Sequence, residues 1–251
     1  MSFISPIGSP FIELQQVEST NNYAIGALHA GMAQHGTAVF AHHQTAGKGQ
    51  RNKQWLSNAN ENIALSIIIK PSNIALSQSF LFSMATAIAV KSFLKTYVGD
   101  GLTVKWPNDI YWRDRKAAGI LIENIVRGTE WKWSVVGIGI NVNQTTFYDL
   151  DVKAVSLKQI TGKNYNPLIL AKELCTYLEE AFILLQNSPE QIATLYKNSL
   201  YKLGESVRLK IGPRLFNAII KDVSEIGQLV VQHTMEERFS VGEVEWMANE
   251  P

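Results

Sequence analysis

K-W-P-N-D-I-Y-W-R-D-R-K-A-A-G-I-L, residues 105–121, alternates extended apolar runs with two sharp polar breaks. Residues 102–106 read as a strand that stops at Pro107, which cannot donate to a ladder, and Asn108 and Asp109 favour a turn there. Lys105, Trp106, Asn108 and Asp109 are thereby held at a strand end, where polar turn residues serve either a ligand or their own backbone. Arg113-Asp114-Arg115-Lys116 is a charged hairpin between a strand ending at Trp112 and another over residues 117–126. Lys116 lies at its inner edge, against Ala117-Ala118-Gly119-Ile120-Leu121. An ammonium entering a core edge is a candidate for chemistry.

Upstream, a strand over residues 38–42 feeds the loop Q-T-A-G-K-G-Q-R-N-K-Q-W at 44–55. The loop gathers Gln44, Gly47, Lys48, Gly49, Gln50, Arg51, Lys53 and Trp55. Glycine lets backbone N–H groups approach a ligand, and clustered cations favour a polyanion, which is phosphate-handling chemistry. A solvated hairpin tip is the other reading of such a loop. Neither G-x-x-x-x-G-K-S/T nor G-x-G-x-x-G occurs in the chain. Before the loop, residues 11–17 read as a strand and 23–30 as a helix, with Ser19 or Thr20 as a natural N-cap or as hydroxyls facing a ligand.

The apolar run at 62–70 reads as a strand covered on both faces, and residues 79–97 as the central buried helix, with Leu81, Met84 and Ile88 on one stripe. A strand over 131–142 contains Gly137-Ile138-Gly139-Ile140-Asn141, where a neighbouring strand or a ligand approaches the backbone closely. Helices at 167–186 and 189–199 precede short alternating strands at 207–211, 216–223, 229–233 and 239–241. The expected architecture is α+β, a catalytic domain over residues 1–202 followed by a small SH3-like β-barrel over 203–251.

With 251 residues, 46% hydrophobic and 18% charged, the chain reads as globular, and a net charge of +1 argues against a general nucleic-acid or membrane-surface binder. The single cysteine, Cys175, allows no intrachain disulfide and reads as a buried free thiol in a reducing compartment. No apolar run is long enough to span a membrane, and the N-terminus lacks a signal-peptide pattern, so a cytoplasmic protein is expected. His42 and His43 are adjacent on a strand and point to opposite faces, which gives no metal site.

The glycine-basic loop at 44–55, K-W-P-N-D-I-Y with its following R-D-R-K-A-A-G-I-L, and G-I-G-I-N-V-N at 137–143 occur in an order that resembles the biotin protein ligase family, and Ser19-Thr20-Asn21 ahead of a helix also matches. The resemblance implies a mixed β-sheet with flanking helices and a two-step ligase. Biotin and MgATP give biotinyl-5′-adenylate and pyrophosphate; a lysine of a biotin carboxyl carrier protein then attacks the mixed anhydride. It implies Lys116 where biotin carboxylate and α-phosphate meet, Lys105 positioning phosphate or carrier, and Ser19, Thr20, Asn21 and Gln44 at the ureido end. Gly47, Lys48, Gly49 and Gln50 would lie along biotin, and Arg51, Lys53, Trp55, Asn108, Asp109 and Asn141 on the nucleotide side, with Trp55 stacked over adenine. The catalytic motifs begin by Ser19, so a ligase without a DNA-binding domain is expected, as monomer or homodimer. A lipoate-type ligase is one rival, although its R-R-x-S-G-G-G element is missing; a non-catalytic small-molecule sensor is another.

Loops of this family usually read G-R-G-R-x-G-R, where residues 47–53 here read G-K-G-Q-R-N-K. Lys48 keeps a charge without the bidentate fork of arginine, and Gln50 removes a cation beside the adenylate. Such a loop is expected to order over bound ligand. Gln50→Arg is expected to slow release of the adenylate in a rapid-quench assay, and a release rate equal to the parent's would remove this argument.

Overall fold

The computed structural model describes residues 5–71, 74–147 and 153–247. In chain order the elements are β1 (Phe11–Val17), α1 (Thr20–His29), β2 (Ala38–Gln44), β3 (Asn62–Ile69), α2 (Ser79–Val98), β4 (Leu102–Lys105), β5 (Asp109–Trp112), β6 (Arg115–Arg127) and β7 (Glu130–Asn141). They continue with α3 (Leu157–Thr161), α4 (Pro167–Asn187), α5 (Pro189–Lys197), β8 (Ser206–Ile211), β9 (Arg214–Val223), β10 (Leu229–Gln232), β11 (Glu236–Phe239) and β12 (Glu245–Trp246). The expected elements lie within a few residues of these bounds, except that α3 and β12 were not anticipated and the last expected strand ends at Phe239 rather than beginning there.

The first seven strands form one mixed sheet in the order β1-β2-β3-β7-β6-β5-β4. Only β1 and β2 are parallel, joined through α1; the other neighbours are antiparallel. Every residue of β3 is buried, as its apolar run requires for a strand with neighbours on both edges and helices on both faces. Ile63, Leu65, Ile67 and Ile69 join the cluster under α2 and α4, whereas Ile68 meets Val39, Val135 and Ala24 under α1. Phe82 of α2 stacks on Phe182 of α4 at 4.6 Å, and each large side chain buried this way contributes roughly 1.5–3 kcal/mol. Proline opens α4, and the Asn166 side chain caps it, accepting from the N–H groups of Leu168 and Ile169 at 3.0 and 3.3 Å.

The C-terminal strands form a five-stranded antiparallel sheet, β11-β10-β9-β8-β12. This is the expected SH3-like unit, and among the described residues its end strands β11 and β12 do not pair to close a barrel. The division expected after residue 202 falls between α5 and β8. The buried cluster nevertheless runs on from α2 through Trp106 and Leu200 into Val207, Leu209 and Val231. Edge strand β4 is covered, since Val104 N donates to Ser199 O at 2.7 Å and Tyr201 N to Val104 O at 2.9 Å. Trp106 Nε1 donates to Gly227 O at 2.9 Å across the same junction.

Gly227 has φ +85, and a Cβ there would lie 2.3 Å from the Phe80 ring. Gly227→Ala is therefore expected to destabilise by about 1–3 kcal/mol in urea unfolding. Gly128→Ala, at φ +61 with open space around it, isolates the backbone cost alone and should lose less.

Candidate active site

Alternation along β7 sets the place of the site. Ile138 and Ile140 join the core, so Gly137 and Gly139 face the opposite side. Gly139 lies opposite Ala64 and Gly119, Gly119 opposite Asp109, and Gly137 opposite Ser66. A trench of small residues thus crosses three strands, just beyond the N-terminus of α1 and on the face that α1 covers. The backbone is approached there by two side chains. A Cβ on Gly137 would lie 2.4 Å from Asn21 Oδ1, and one on Gly139 would lie 2.4 Å from Trp55 Cε2.

Ser19, Thr20 and Asn21 are buried at the trench end and line its cavity. Ser19 is the N-cap, accepting from Asn22 N at 3.5 Å, so it both starts the helix and borders the cavity. Thr20 donates through its backbone N–H and its hydroxyl to Gln44 Oε1, at 2.8 and 3.0 Å. Ser66 Oγ lies 2.7 Å from Thr20 Oγ1 and 2.6 Å from Asn21 Oδ1. The Asn21 amide donates to Glu123 Oε2 at 2.7 Å.

The basic loop folds back as a hairpin. Gly49 N donates to Lys53 O at 2.7 Å and Trp55 N to Gly47 O at 2.9 Å, with a single 3-10 turn at Gln50–Asn52 and Arg51 at φ 54. A Cβ on Gly47 would meet Trp55 O at 2.5 Å, so that glycine serves the hairpin itself. Trp55 anchors the loop on the Gly119–Gly139 platform. Lys48, Gly49, Gln50 and Trp55 line the cavity. Lys53 and Arg51 lie outside that lining, and the Arg51 guanidinium rests against Gly242 of the C-terminal unit, 3.3 Å from where its Cβ would be.

The 105–121 segment supplies the opposite wall. Lys105 pairs with Asp109, and Tyr111 with Lys116, so these four side chains share a sheet face. Lys116 Nζ lies 2.8 Å from Asp109 Oδ1 and 6.0 Å from the Trp55 ring centre. Asn108 pins the turn to β6: its amide donates to Ile120 O, and Ile120 N donates to Asn108 O at 3.1 Å. Asn108, Asp109 and Lys116 all line the cavity.

Two expected residues lie behind it. The Asn141 amide donates to Lys116 O at 3.2 Å and Val155 O at 3.3 Å, which holds the Lys116 backbone rather than reaching the cavity. Lys105 Nζ donates to Tyr111 Oη at 3.3 Å and lies 4.9, 5.3 and 6.0 Å from the ring centres of Tyr111, Trp246 and Tyr201. Burial lowers its pKa below the ordinary lysine value; Asp109 opposes this, and Lys116 and Lys53 add to it.

Ser66 and Glu123 were not anticipated. A lone serine inside the otherwise apolar N-I-A-L-S-I-I-I was the available signal, because a buried hydroxyl needs partners. Glu123 carried no local sign, since its partners lie in distant segments. His42 pairs with Glu13 at 2.8 Å, and no group of three metal-ligating side chains occurs among the described residues. Cys175 is buried away from the cavity, and burial pushes its thiol pKa up to about 12, which leaves it unreactive.

The profile of the Biotin/lipoate A/B protein ligase family matches residues 13–141. A biotin–[acetyl-CoA-carboxylase] ligase of Mycobacterium tuberculosis is 29% identical over 220 residues, covering 85% of this chain and 80% of that protein. The bifunctional ligase/repressor BirA of Salmonella typhimurium is 33% identical over 222 residues, covering 87% of this chain and 68% of its own length. Among solved structures, the biotin protein ligase from Aquifex aeolicus in complex with biotin and ATP shares the fold, with a TM-score of 0.79, 24% identity, and coverage of 94% of this chain and 98% of that one. No helix among the described residues is long and apolar enough to cross a membrane. The family match over half the chain, together with these relatives, establishes that the chain belongs to the biotin/lipoate A/B protein ligase family, among its biotin protein ligases.

Proposed function

We infer that this protein activates biotin with ATP as biotinyl-5′-adenylate and transfers the biotinyl group to a lysine of a biotin carboxyl carrier domain. The observation that carries this reading is the Lys116–Asp109 pair, 2.8 Å apart, between a hydrogen-bonding trench end and a cationic loop. A carboxylate attacking an α-phosphate brings two anions together, and a preorganised ammonium at that point stabilises the charge that develops. Lys116 supplies it, with its backbone held by Asn141. Lys48 faces the same cavity, and Arg51 and Lys53, on the loop tip outside it, are assigned to the leaving phosphates. In the second step the carrier amine must lose a proton as it attacks the anhydride carbonyl, and Asp109 is the carboxylate in the cavity lining.

Ser19, Thr20, Asn21 and Gln44 are assigned to the ureido ring, with Gly49 and Gln50 along the ligand and Gly47 shaping the hairpin that carries them. Asn108 stands on the nucleotide side. Trp55 walls the reacting centre from its place on the glycine platform. Lys105, held among three aromatic rings, supports the strand end that carries Asp109. Magnesium fits a lining with a single carboxylate only as an ion carried by the triphosphate, its remaining ligands phosphate oxygens and water; it would neutralise the leaving pyrophosphate.

Biotin-dependent exchange of labelled pyrophosphate into ATP tests the reading. Lys116→Ala is expected to lose exchange by roughly two orders of magnitude or more, with folding retained. Exchange supported by lipoate alone would overturn the biotin assignment.

A further inference from the structure

Asn21 is almost fully buried, and the two ends of its amide have separate partners. Both Nδ2 protons are engaged, by Glu123 Oε2 at 2.7 Å and Leu121 O at 3.4 Å, which leaves Oδ1 beside Ser66 Oγ at 2.6 Å and above Gly137. An amide fits such a site in two orientations that differ only in which end donates. Glu123 Oε2 accepts from Asn21 Nδ2, and this contact selects the orientation that turns the amide oxygen to the cavity.

The choice reaches the neighbouring hydroxyl. Ser66 has one hydroxyl proton, with Asn21 Oδ1 at 2.6 Å and Thr20 Oγ1 at 2.7 Å within its reach, and an Asn21 oxygen on that side is there to accept it. Thr20 donates twice to Gln44 Oε1, through backbone N–H and hydroxyl, at 2.8 and 3.0 Å, so the Gln44 oxygen is occupied and its NH2 end remains for a ligand. The cavity therefore presents an acceptor from Asn21 and a donor from Gln44, the complement of a ring bearing both N–H and C=O. The second Glu123 oxygen lies 3.9 Å from Lys48 Nζ, which ties the same carboxylate to the phosphate-side loop.

We propose that Glu123 is a positioning residue that sets the donor and acceptor polarity of the Asn21–Ser66 pair, and with it the acceptor half of the site's selectivity for a ureido-type ring. The proposal rests on the biotin reading above. Glu123 meets the cavity lining closely through Asn21, at 2.7 Å, and only weakly through the partly exposed Lys48, at 3.9 Å, so its removal should act on biotin binding and spare ATP.

The test is pyrophosphate exchange by the full chain and by Glu123→Ala, Glu123→Gln, Asn21→Asp and the double variant Asn21→Asp/Glu123→Gln, with biotin and ATP KM measured separately and folding checked by circular dichroism. Glu123→Ala is expected to raise the biotin KM by roughly tenfold or more with the ATP KM unchanged. Glu123→Gln, which still offers an acceptor, should lose less. Asn21→Asp sets two carboxylates face to face and should be the worst single change. The double variant restores one donor and one acceptor across the pair and should recover most of the loss. A biotin KM in Glu123→Ala equal to the parent's, equal losses for biotin and ATP, or additive losses in the double variant would overturn the proposal. Should the alanine variant not fold, the Asn21→Asp and double-variant comparison decides by itself. Failure of the biotin reading looks different: the parent itself would show no biotin-dependent exchange.

Discussion

A Cβ at Gly139 would stand 2.4 Å from the Trp55 indole, and one at Gly137 would stand 2.4 Å from the Asn21 amide oxygen. This steric condition underlies the rest of the site. Two neighbouring strands contribute glycine or small residues in register, Gly119 and Ala64 on either side of Gly139, so the sheet surface is bare backbone where the Trp55 indole and the Asn21 amide lie against it. The intervening isoleucines face the other way and join the core, which lets the floor be rigid without being tall. Function and stability are thus divided between the two faces of one strand.

On that floor the charges are arranged around the point where they are needed. Lys116 enters from the end of the charged hairpin, and its main chain is fixed by Asn141, by Val155 N at 2.9 Å and by Lys153 O at 2.8 Å. A lysine with an anchored backbone and an ion-paired head loses little entropy on meeting an anion. The trench end works by hydrogen bonds, with the Asn21 amide oriented by Glu123 and Leu121 and the Gln44 amide by Thr20.

The C-terminal sheet is joined to this centre through a small set of aromatic contacts. Tyr201 lies 5.1 Å from Tyr111 and 5.9 Å from Trp246, and its hydroxyl donates to Asp114 at 2.7 Å in the charged hairpin. The hairpin that bears Lys116 and the strand end that bears Asp109 therefore rest on residues from beyond α5. A shared buried core makes the two sheets one mechanical unit at this junction.

Sequence by itself determined the local elements and the chemistry of the motifs. Strand and helix periods, the Pro107 stop, the buried helix with Met84 and Ile88, and the cationic loop follow from residue type and spacing, because those interactions are short in range. The lysine at the inner edge of its hairpin was legible for the same reason. Only the tertiary structure decided which polar residues face the cavity and which support it. Asn141 and Lys105 stand behind the cavity, and Glu123 and Ser66 brace its trench end through Asn21, because their partners lie in segments far apart in the chain and are brought together by strand register. Nor does a run of short strands specify closure, which depends on whether the end strands meet each other or, as here for Trp246, pack on the neighbouring unit.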